Sequence, residues 1–158
     1  MNTSSETGCC PRFDPAPWEE KEVQWNDKLF VKDRVRSFFH IPLNFGAVMR
    51  RNQKFLQTPQ QSTEPVLVLS DENSLWGADV YISVAQVTPG ANIVRLSGTY
   101  FTKVYEGPFR NVRTWCADMQ RHVKSKGREL KKLLFFYTTC PKCAKVYGKN
   151  YVVLFAQV

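Results

Sequence analysis

The sequence carries the same order of secondary-structure signals twice, and this internal repeat limits the possible folds more than any single motif does. A strand, a helix and two further strands are predicted within Leu29–Val87 and again within Val94–Val158. Phe39–Leu43 and Tyr105–Phe109 occupy the same place between first strand and helix, and each half ends in Ala-Gln-Val. We therefore predict an α+β fold of two pseudo-symmetric βαββ repeats, forming a largely antiparallel sheet with both helices on one face.

The second repeat shows this pattern most clearly. Apolar and polar residues alternate over Val94–Glu106, which is typical of a half-buried strand. Beyond a Gly-Pro pair, apolar residues recur at three- and four-residue spacing, which predicts an amphipathic helix that ends at Gly127. Leu133–Thr138 and Asn150–Val158 are rich in aromatic and β-branched residues and are predicted strands. The segment between them, which includes Cys140–Cys143, is predicted to be a turn.

The amino-terminal residues differ in composition from the repeats. They contain three prolines, which exclude a long helix, together with two tryptophans, Trp18 and Trp25. We expect these two indoles to pack on the rest of the protein. The sequence therefore predicts a proline-rich arm over residues 1–28 and a single domain over residues 29–158.

Composition limits the class of protein. A chain of 158 residues with 43% hydrophobic residues can bury a core, and no apolar run is long enough to span a bilayer. Five cysteines, an odd number, without an export signal favour a cytoplasmic protein. The net charge is +8, but much of the excess lies at the end of the second helix, where basic side chains complement the helix dipole. We therefore expect neither a nucleic-acid nor a membrane partner.

The candidate catalytic residues are Glu106 and Tyr137. Glu106 ends an otherwise apolar strand face, where a carboxylate can act as a general base, and Tyr137 or, alternatively, Tyr81 can donate to a developing oxyanion. An alternative role for Glu106 is to stabilise the start of the following helix. Trp76 serves either packing or ligand stacking. The candidate ligand-binding residues are Trp76, Tyr81, Glu72, Tyr100 and His40.

The cysteines form a second group with chemical potential. Cys140 and Cys143 have the two-residue spacing that lets both sulfurs reach one zinc ion, and Cys9 and Cys10 could complete the site if the arm folds back. Free thiols and a disulfide are the alternatives. Structural zinc is the only cofactor that the sequence suggests.

Taken together, these residues resemble the GyrI-like small-molecule-binding domains and, more distantly, the SOUL haem-binding proteins. The general likeness rests on the repeated pattern with Tyr105–Phe109 at its centre. A narrower likeness, to stand-alone bacterial proteins labelled only as hydrolases, rests on Cys9–Pro11, Phe39–Gly46, Leu69–Gly77 and Tyr137–Cys143.

The resemblance implies a hydrolase that acts on a small aromatic or electrophilic compound in a groove between the two repeats. The alternative is a non-catalytic protein that binds or sequesters such a compound. The residues before Leu29 are too few and too proline-rich for a helix-turn-helix, so a DNA-binding regulator is not expected. Haem binding is poorly supported because His40 and His122 are the only histidines. The sequence does not indicate an oligomeric state.

Overall fold

The computed structural model describes residues 13–38, 41–42, 47, 50–52, 66–74, 77–138 and 141–158. The chain forms two compact units. The central unit is Trp25–Gly98, and the C-terminal unit joins Met1–Gln24 to Thr99–Val158. The boundaries fall inside two strands, β1 (Lys21–Phe38) and β5 (Ile93–Glu106). The predicted division into an arm and a single domain stays a prediction.

The central unit is built on antiparallel strands. Besides β1 it contains β2 (Ile41–Pro42), β3 (Val68–Ser74) and β4 (Gly77–Ser83), in the spatial order β2-β1-β4-β3. One face of the unit buries a cluster of branched apolar side chains, because alternate residues of a strand point to the same side. The core residues of this cluster are Val35, Val80 and Ile82, with Val68 packed against them.

Strand β1 begins eight residues before the predicted start at Leu29, so that boundary was wrong. Val23 and Trp25 are less exposed than the polar residues beside them, which is the alternation of a strand. Asp27 then has a φ of 53° and its backbone N–H donates to Ser97 Oγ over 2.9 Å. A short polar residue tolerates this left-handed conformation. The strand therefore continues past Asp27, although the alternation of its inward and outward side chains changes there.

The C-terminal unit contains a second antiparallel group of strands. These are β5, β6 (Lys132–Tyr137) and β7 (Tyr151–Gln157), in the order β5-β7-β6. Helix α1 (Val112–Ser125) packs on one face of this group. Trp18 packs on the opposite face, with its ring 5.5 Å from Phe155 and 6.2 Å from Phe136.

Helix α1 confirms the predicted amphipathic helix. A 3-10 turn at Phe109–Asn111 leads into it, and its buried side chains have the predicted spacing. Gly127, just beyond the helix, has a φ of +71°, the left-handed conformation that ends many helices. The buried residues of α1 are Trp115, Met119 and Val123.

A second helix, α2 (Pro141–Tyr147), occupies the segment that was predicted to be a turn. Pro141 suits the first position of a helix, because its missing N–H would have no partner there. Gly148 stops the helix in a left-handed conformation, with a φ of +70°. The prediction was wrong because it interpreted Pro141 and Gly148 as turn residues, whereas they begin and end a short helix.

The mixed α and β class and the mostly antiparallel pairing are confirmed. The predicted helix of the first repeat, Pro42–Gln57, lies mostly outside the described residues, which are helical at 47 and 50–52. Among the described residues, no helix is long and apolar enough to cross a membrane.

Candidate functional site

The last residue of β5, Glu106, lies directly opposite Tyr151, the first residue of β7. Residues opposite each other in an antiparallel pair point to the same face of the sheet, with Cβ atoms about 5 Å apart. The side chains of Glu106 and Tyr151 therefore start from neighbouring positions at one end of the C-terminal unit. Glu106 is exposed and Tyr151 is half-buried.

Neither side chain has its polar group occupied within the described part of the chain. No hydrogen bond or ion pair there involves the Glu106 carboxylate or the Tyr151 hydroxyl. A carboxylate with free lone pairs can accept a proton from water, and a free phenol can donate to an oxygen that becomes negative. The pair has the two functions that general-base hydrolysis requires.

Aromatic rings lie beside this pair. The ring of Phe13 is 5.6 Å from that of Tyr151 and 6.2 Å from that of Phe136. Phe136 is opposite Val153 in the sheet, one row from Tyr151 on the same face. Phe13, Phe136 and Tyr151 are all half-buried, so an aromatic surface borders Glu106. We call these three residues the aromatic wall.

The amino-terminal segment is held on this face by polar contacts as well as by rings. The Thr102 hydroxyl, fully buried, donates to the Trp18 carbonyl oxygen over 2.7 Å. The backbone N–H of Val104 donates to Glu19 Oε2 over 2.9 Å. These bonds fix residues 18 and 19 to β5, which supports the placement of Phe13 against the sheet.

The chain segments that carry Glu106 and Tyr151 are joined by a reciprocal pair of hydrogen bonds. The N–H of Gly107 donates to the Asn150 carbonyl oxygen over 3.0 Å, and Asn150 Nδ2 donates to the Gly107 carbonyl oxygen over 2.9 Å. Gly107 has a φ of +134°, and a Cβ there would lie 3.2 Å from Asn111 Nδ2. Glycine is therefore required, and this clamp positions both site residues.

Lys149 adds a positive charge. Its Nζ lies 5.9 Å from the centre of the Tyr151 ring, within the range of a cation–π interaction. Among the described residues, it forms no ion pair with a carboxylate.

Tyr137, the predicted proton donor, is not beside Glu106. It is opposite Val152, which in turn is opposite Tyr105. Adjacent residues of a strand point to opposite faces, so Tyr137 is on the face that α1 covers. There it stacks on Phe135 at 6.3 Å and packs into the core under the helix. The register therefore pairs Glu106 with Tyr151 instead.

The other predicted ligand-binding residues are also not brought to Glu106. Tyr100 points to the same face but is six residues away along β5, about 20 Å, and is 2% exposed. Tyr81 and Glu72 belong to the central unit: Tyr81 is buried against Phe30, and Glu72 accepts a hydrogen bond from Ser70. Trp76 and His40 lie outside the described residues.

The predicted zinc site is mostly outside the described residues, since Cys9, Cys10 and Cys140 all are. Cys143 is fully buried in α2. Within the described ranges, no three His, Cys, Asp or Glu residues are grouped as ligands for a metal ion. The zinc site stays a prediction.

A separate polar cluster connects β5 to α1. Asp118 Oδ2 accepts hydrogen bonds from Lys103 Nζ at 2.7 Å and from the Tyr105 hydroxyl at 2.8 Å. The Lys103 ammonium, followed by the Tyr105 hydroxyl, lowers the pKa of the Asp118 carboxyl. Burial, and then Asp118, raise the pKa of Tyr105 well above its usual value. Because its groups are bonded to one another, this cluster attaches the helix and is not our candidate site.

Glu106 is the predicted residue on which this candidate site is built, but its neighbours were not predicted from the sequence. The missed residues are Tyr151, Phe136, Phe13 and Lys149. The alternation in Asn150–Val158 shows that Tyr151 and Val153 share a face, but which residue of β5 faces Tyr151 depends on the pairing register. Nothing in the sequence signals the contact of Phe13.

The whole chain, residues 1–158, matches the family described as bacterial hydrolase, and the protein belongs to that family. The name of this family points to hydrolysis as the reaction class. No curated protein matches the sequence.

Solved structures with a similar fold share little sequence with the chain. A hydrolase from Listeria innocua has 14% identity and a TM-score of 0.55, covering 88% of this chain and 91% of its own. A protein named as a bacterial transcription regulation protein, from Staphylococcus aureus MU50, has 12% identity and a TM-score of 0.51, with 89% and 98% covered. SAV2435, bound to tetraphenylphosphonium, has 11% identity and a TM-score of 0.51, with 89% and 93% covered. At these identities, the likeness shows the fold alone.

Proposed function

We propose that the protein is a hydrolase of small aromatic electrophiles such as aryl esters, with Glu106 as the general base and Tyr151 as the hydrogen-bond donor. The observation that carries this proposal is the register of β5 and β7, which places Glu106 opposite Tyr151, two residues whose polar groups have no partner among the described residues. Membership of the bacterial hydrolase family supports the reaction class. The aromatic wall supports the aromatic character of the substrate.

In this mechanism Glu106 takes a proton from a water molecule while the water oxygen bonds to the carbonyl carbon of the ester. The Tyr151 hydroxyl donates a hydrogen bond to the carbonyl oxygen as it gains negative charge. The bond from that carbon to the leaving oxygen then breaks, and the protonated Glu106 returns the proton to the leaving oxygen. The products are a carboxylic acid and a phenol, and Glu106 is again a carboxylate.

The two tyrosines provide a matched test. Turnover of 4-nitrophenyl acetate by the purified protein would be measured for the wild type, Tyr151→Phe and Tyr137→Phe. We expect Tyr151→Phe to lower kcat by about tenfold to a hundredfold, since it removes one donor to the oxyanion. Tyr137→Phe should keep the wild-type rate. Equal rates for the wild type and Tyr151→Phe would exclude the donor role, and an absence of turnover with 4-nitrophenyl acetate and phenyl glycidyl ether would count against a hydrolase.

A second candidate function is binding without turnover. Its support is that SAV2435, which shares the fold, is bound to tetraphenylphosphonium, an aromatic cation. A carboxylate beside aromatic rings is suited to such a ligand. Saturable quenching of tryptophan fluorescence by tetraphenylphosphonium, lost in Glu106→Gln, in a protein with no esterase activity would favour this function.

Predictions about the ligand groove, a zinc site, the cellular location and the partners accompany this proposal. The resemblance to GyrI-like domains and the two-repeat symmetry imply a ligand groove, and the face that bears Glu106 is our candidate for its reactive part. Structural zinc on Cys9, Cys10, Cys140 and Cys143 stays a prediction, to be tested by elemental analysis. The thiol of Cys116, which is in no disulfide bond, supports a cytoplasmic location, and we propose small molecules, not nucleic acids or membranes, as partners.

A further inference from the structure

Three lysines of the described chain hold their ammonium groups over tyrosine rings. Lys32 lies 5.8 Å from the ring centre of Tyr81, Lys103 lies 5.7 Å from that of Tyr105, and Lys149 lies 5.9 Å from that of Tyr151. The three distances are nearly the same, so the other partners of the three lysines can be compared directly.

Two of the three lysines also have a carboxylate. Lys32 Nζ is 3.6 Å from Asp79 Oδ2, and Lys103 Nζ is 2.7 Å from Asp118 Oδ2. Lys149 forms no such pair among the described residues, and Glu106, on the facing strand, is not within ion-pair distance of it. An ammonium with an aromatic neighbour and no anion can bind a carboxylate supplied by a ligand.

The backbone of Lys149 lies next to the hydrogen bonds that join the segments of Glu106 and Tyr151. Lys149 directly precedes Asn150, whose two hydrogen bonds to Gly107 join it to the residue after Glu106. The backbone at Lys149 is therefore fixed relative to both Glu106 and Tyr151.

We propose that Lys149 binds a carboxylate of the substrate, and that the substrate is a small aryl ester with an anionic group on its ring. This inference rests on the proposed hydrolase function and adds the charge of the substrate. The ring of the ester packs on the aromatic wall, and its carboxylate meets the Lys149 ammonium. Because Glu106 repels an anion, the ester carbonyl and the carboxylate must be at opposite ends of the ring.

The test compares two esters that differ in one charge, 4-acetoxybenzoate and its methyl ester, with the wild type, Lys149→Met and Lys145→Met. Lys145 is a second exposed lysine, in the last turn of α2, so its replacement makes the same change in net charge. Release of the phenol is followed by chromatography. We expect Lys149→Met to raise KM for 4-acetoxybenzoate about tenfold and to leave the methyl ester unchanged, whereas Lys145→Met should change neither.

The outcomes separate this inference from the proposed function. If both esters are hydrolysed and Lys149→Met affects them equally or not at all, the anion site is wrong and the hydrolase proposal stands. If neither ester is hydrolysed, the hydrolase proposal fails for aryl esters. Binding of 4-hydroxybenzoate, measured by calorimetry, then decides the anion site: weaker binding to Lys149→Met supports it, and equal binding to both proteins overturns it.

Discussion

Two strand carboxylates, Asp33 in the central unit and Glu106 in the C-terminal unit, have opposite surroundings. Asp33 accepts hydrogen bonds from Arg51 through both Nε and Nη2, from Asn52 Nδ2 at 2.6 Å and from the backbone N–H of Arg34 at 2.7 Å. Glu106 accepts none from the described residues.

This difference separates a structural carboxylate from the one that we propose as a general base. The Arg51 guanidinium, followed by Asn52 and the Arg34 amide, lowers the pKa of Asp33 to about 2, against the opposing effect of burial. A group with its lone pairs occupied and so low a pKa cannot remove a proton from water near neutral pH. Asp33 instead attaches the helical residues 51 and 52 to β1. The lesson is that the partners of a carboxylate, and not its place on a strand, decide its role.

The largest expected effect is on ester turnover, and it should distinguish Glu106 from Asp33. Glu106→Gln should lower ester turnover by about a hundredfold to ten-thousandfold, because it removes the general base. The free energy of unfolding should change by less than about 0.5 kcal/mol, as for exposed side chains. Asp33→Asn should lower the free energy of unfolding and leave ester turnover nearly unchanged. Ester turnover and urea denaturation of both variants would measure the two effects.

Glu129→Gln, at an exposed glutamate after α1, is the matched control for the lost charge. If Glu106→Gln unfolds at a lower urea concentration than the wild type and keeps the wild-type rate of ester turnover, Glu106 stabilises the start of the helix and is not the general base.

The next effect concerns the clamp that positions Glu106. Gly107→Ala should cost about 1–3 kcal/mol of stability, since a φ of +134° is strained for alanine and the new Cβ would crowd Asn111. Asn150→Ala should lower turnover while costing less stability. Gly90→Ala, at another positive φ but with open space around it, separates backbone strain from crowding when the melting temperatures are compared.

Acid sensitivity should follow Asp33. Its pKa is about 2 in the folded protein and 3.8 in the unfolded chain, so it stabilises the fold above pH 3.8 and loses this contribution as the pH falls towards 2. The contribution is on the order of 2 kcal/mol. Asp33→Asn should therefore be less stable than the wild type at pH 7, with the difference shrinking towards pH 2. A difference that is constant between pH 7 and pH 2 would contradict the pKa argument.

The smallest effect is expected on the stability of a variant at Asp118, whose surroundings are intermediate between those of Asp33 and Glu106. It is paired with Lys103 and Tyr105, but its side chain is 35% exposed. Because solvent screens such a pair, Asp118→Asn should cost about 1 kcal/mol or less, measured by urea denaturation. A cost above that of Asp33→Asn would show that burial beneath α1 matters more than the number of donors.

The sequence alone predicted much of the C-terminal unit. Local signals were enough for β5, helix α1 and the strands β6 and β7, because period-two and period-3.6 patterns are carried by neighbouring residues. Helix α2 was missed although its signals, Pro141 and Gly148, are local too. The sequence also singled out Glu106, as a carboxylate at the end of an apolar strand face.

The tertiary structure decided what faces Glu106. A shift of two residues in the pairing of β5 with β7 would keep the faces of both strands but place Val104 instead of Glu106 opposite Tyr151, so the alternation within each strand does not fix that register. The same is true of the partners of Asp33, since Arg51 is eighteen positions away in the sequence. Which strand residues become neighbours depends on contacts that form only when distant segments pack together. For that reason the sequence singled out Glu106, and only the fold showed that Asp33 is hydrogen-bonded whereas Glu106 has no such partner among the described residues.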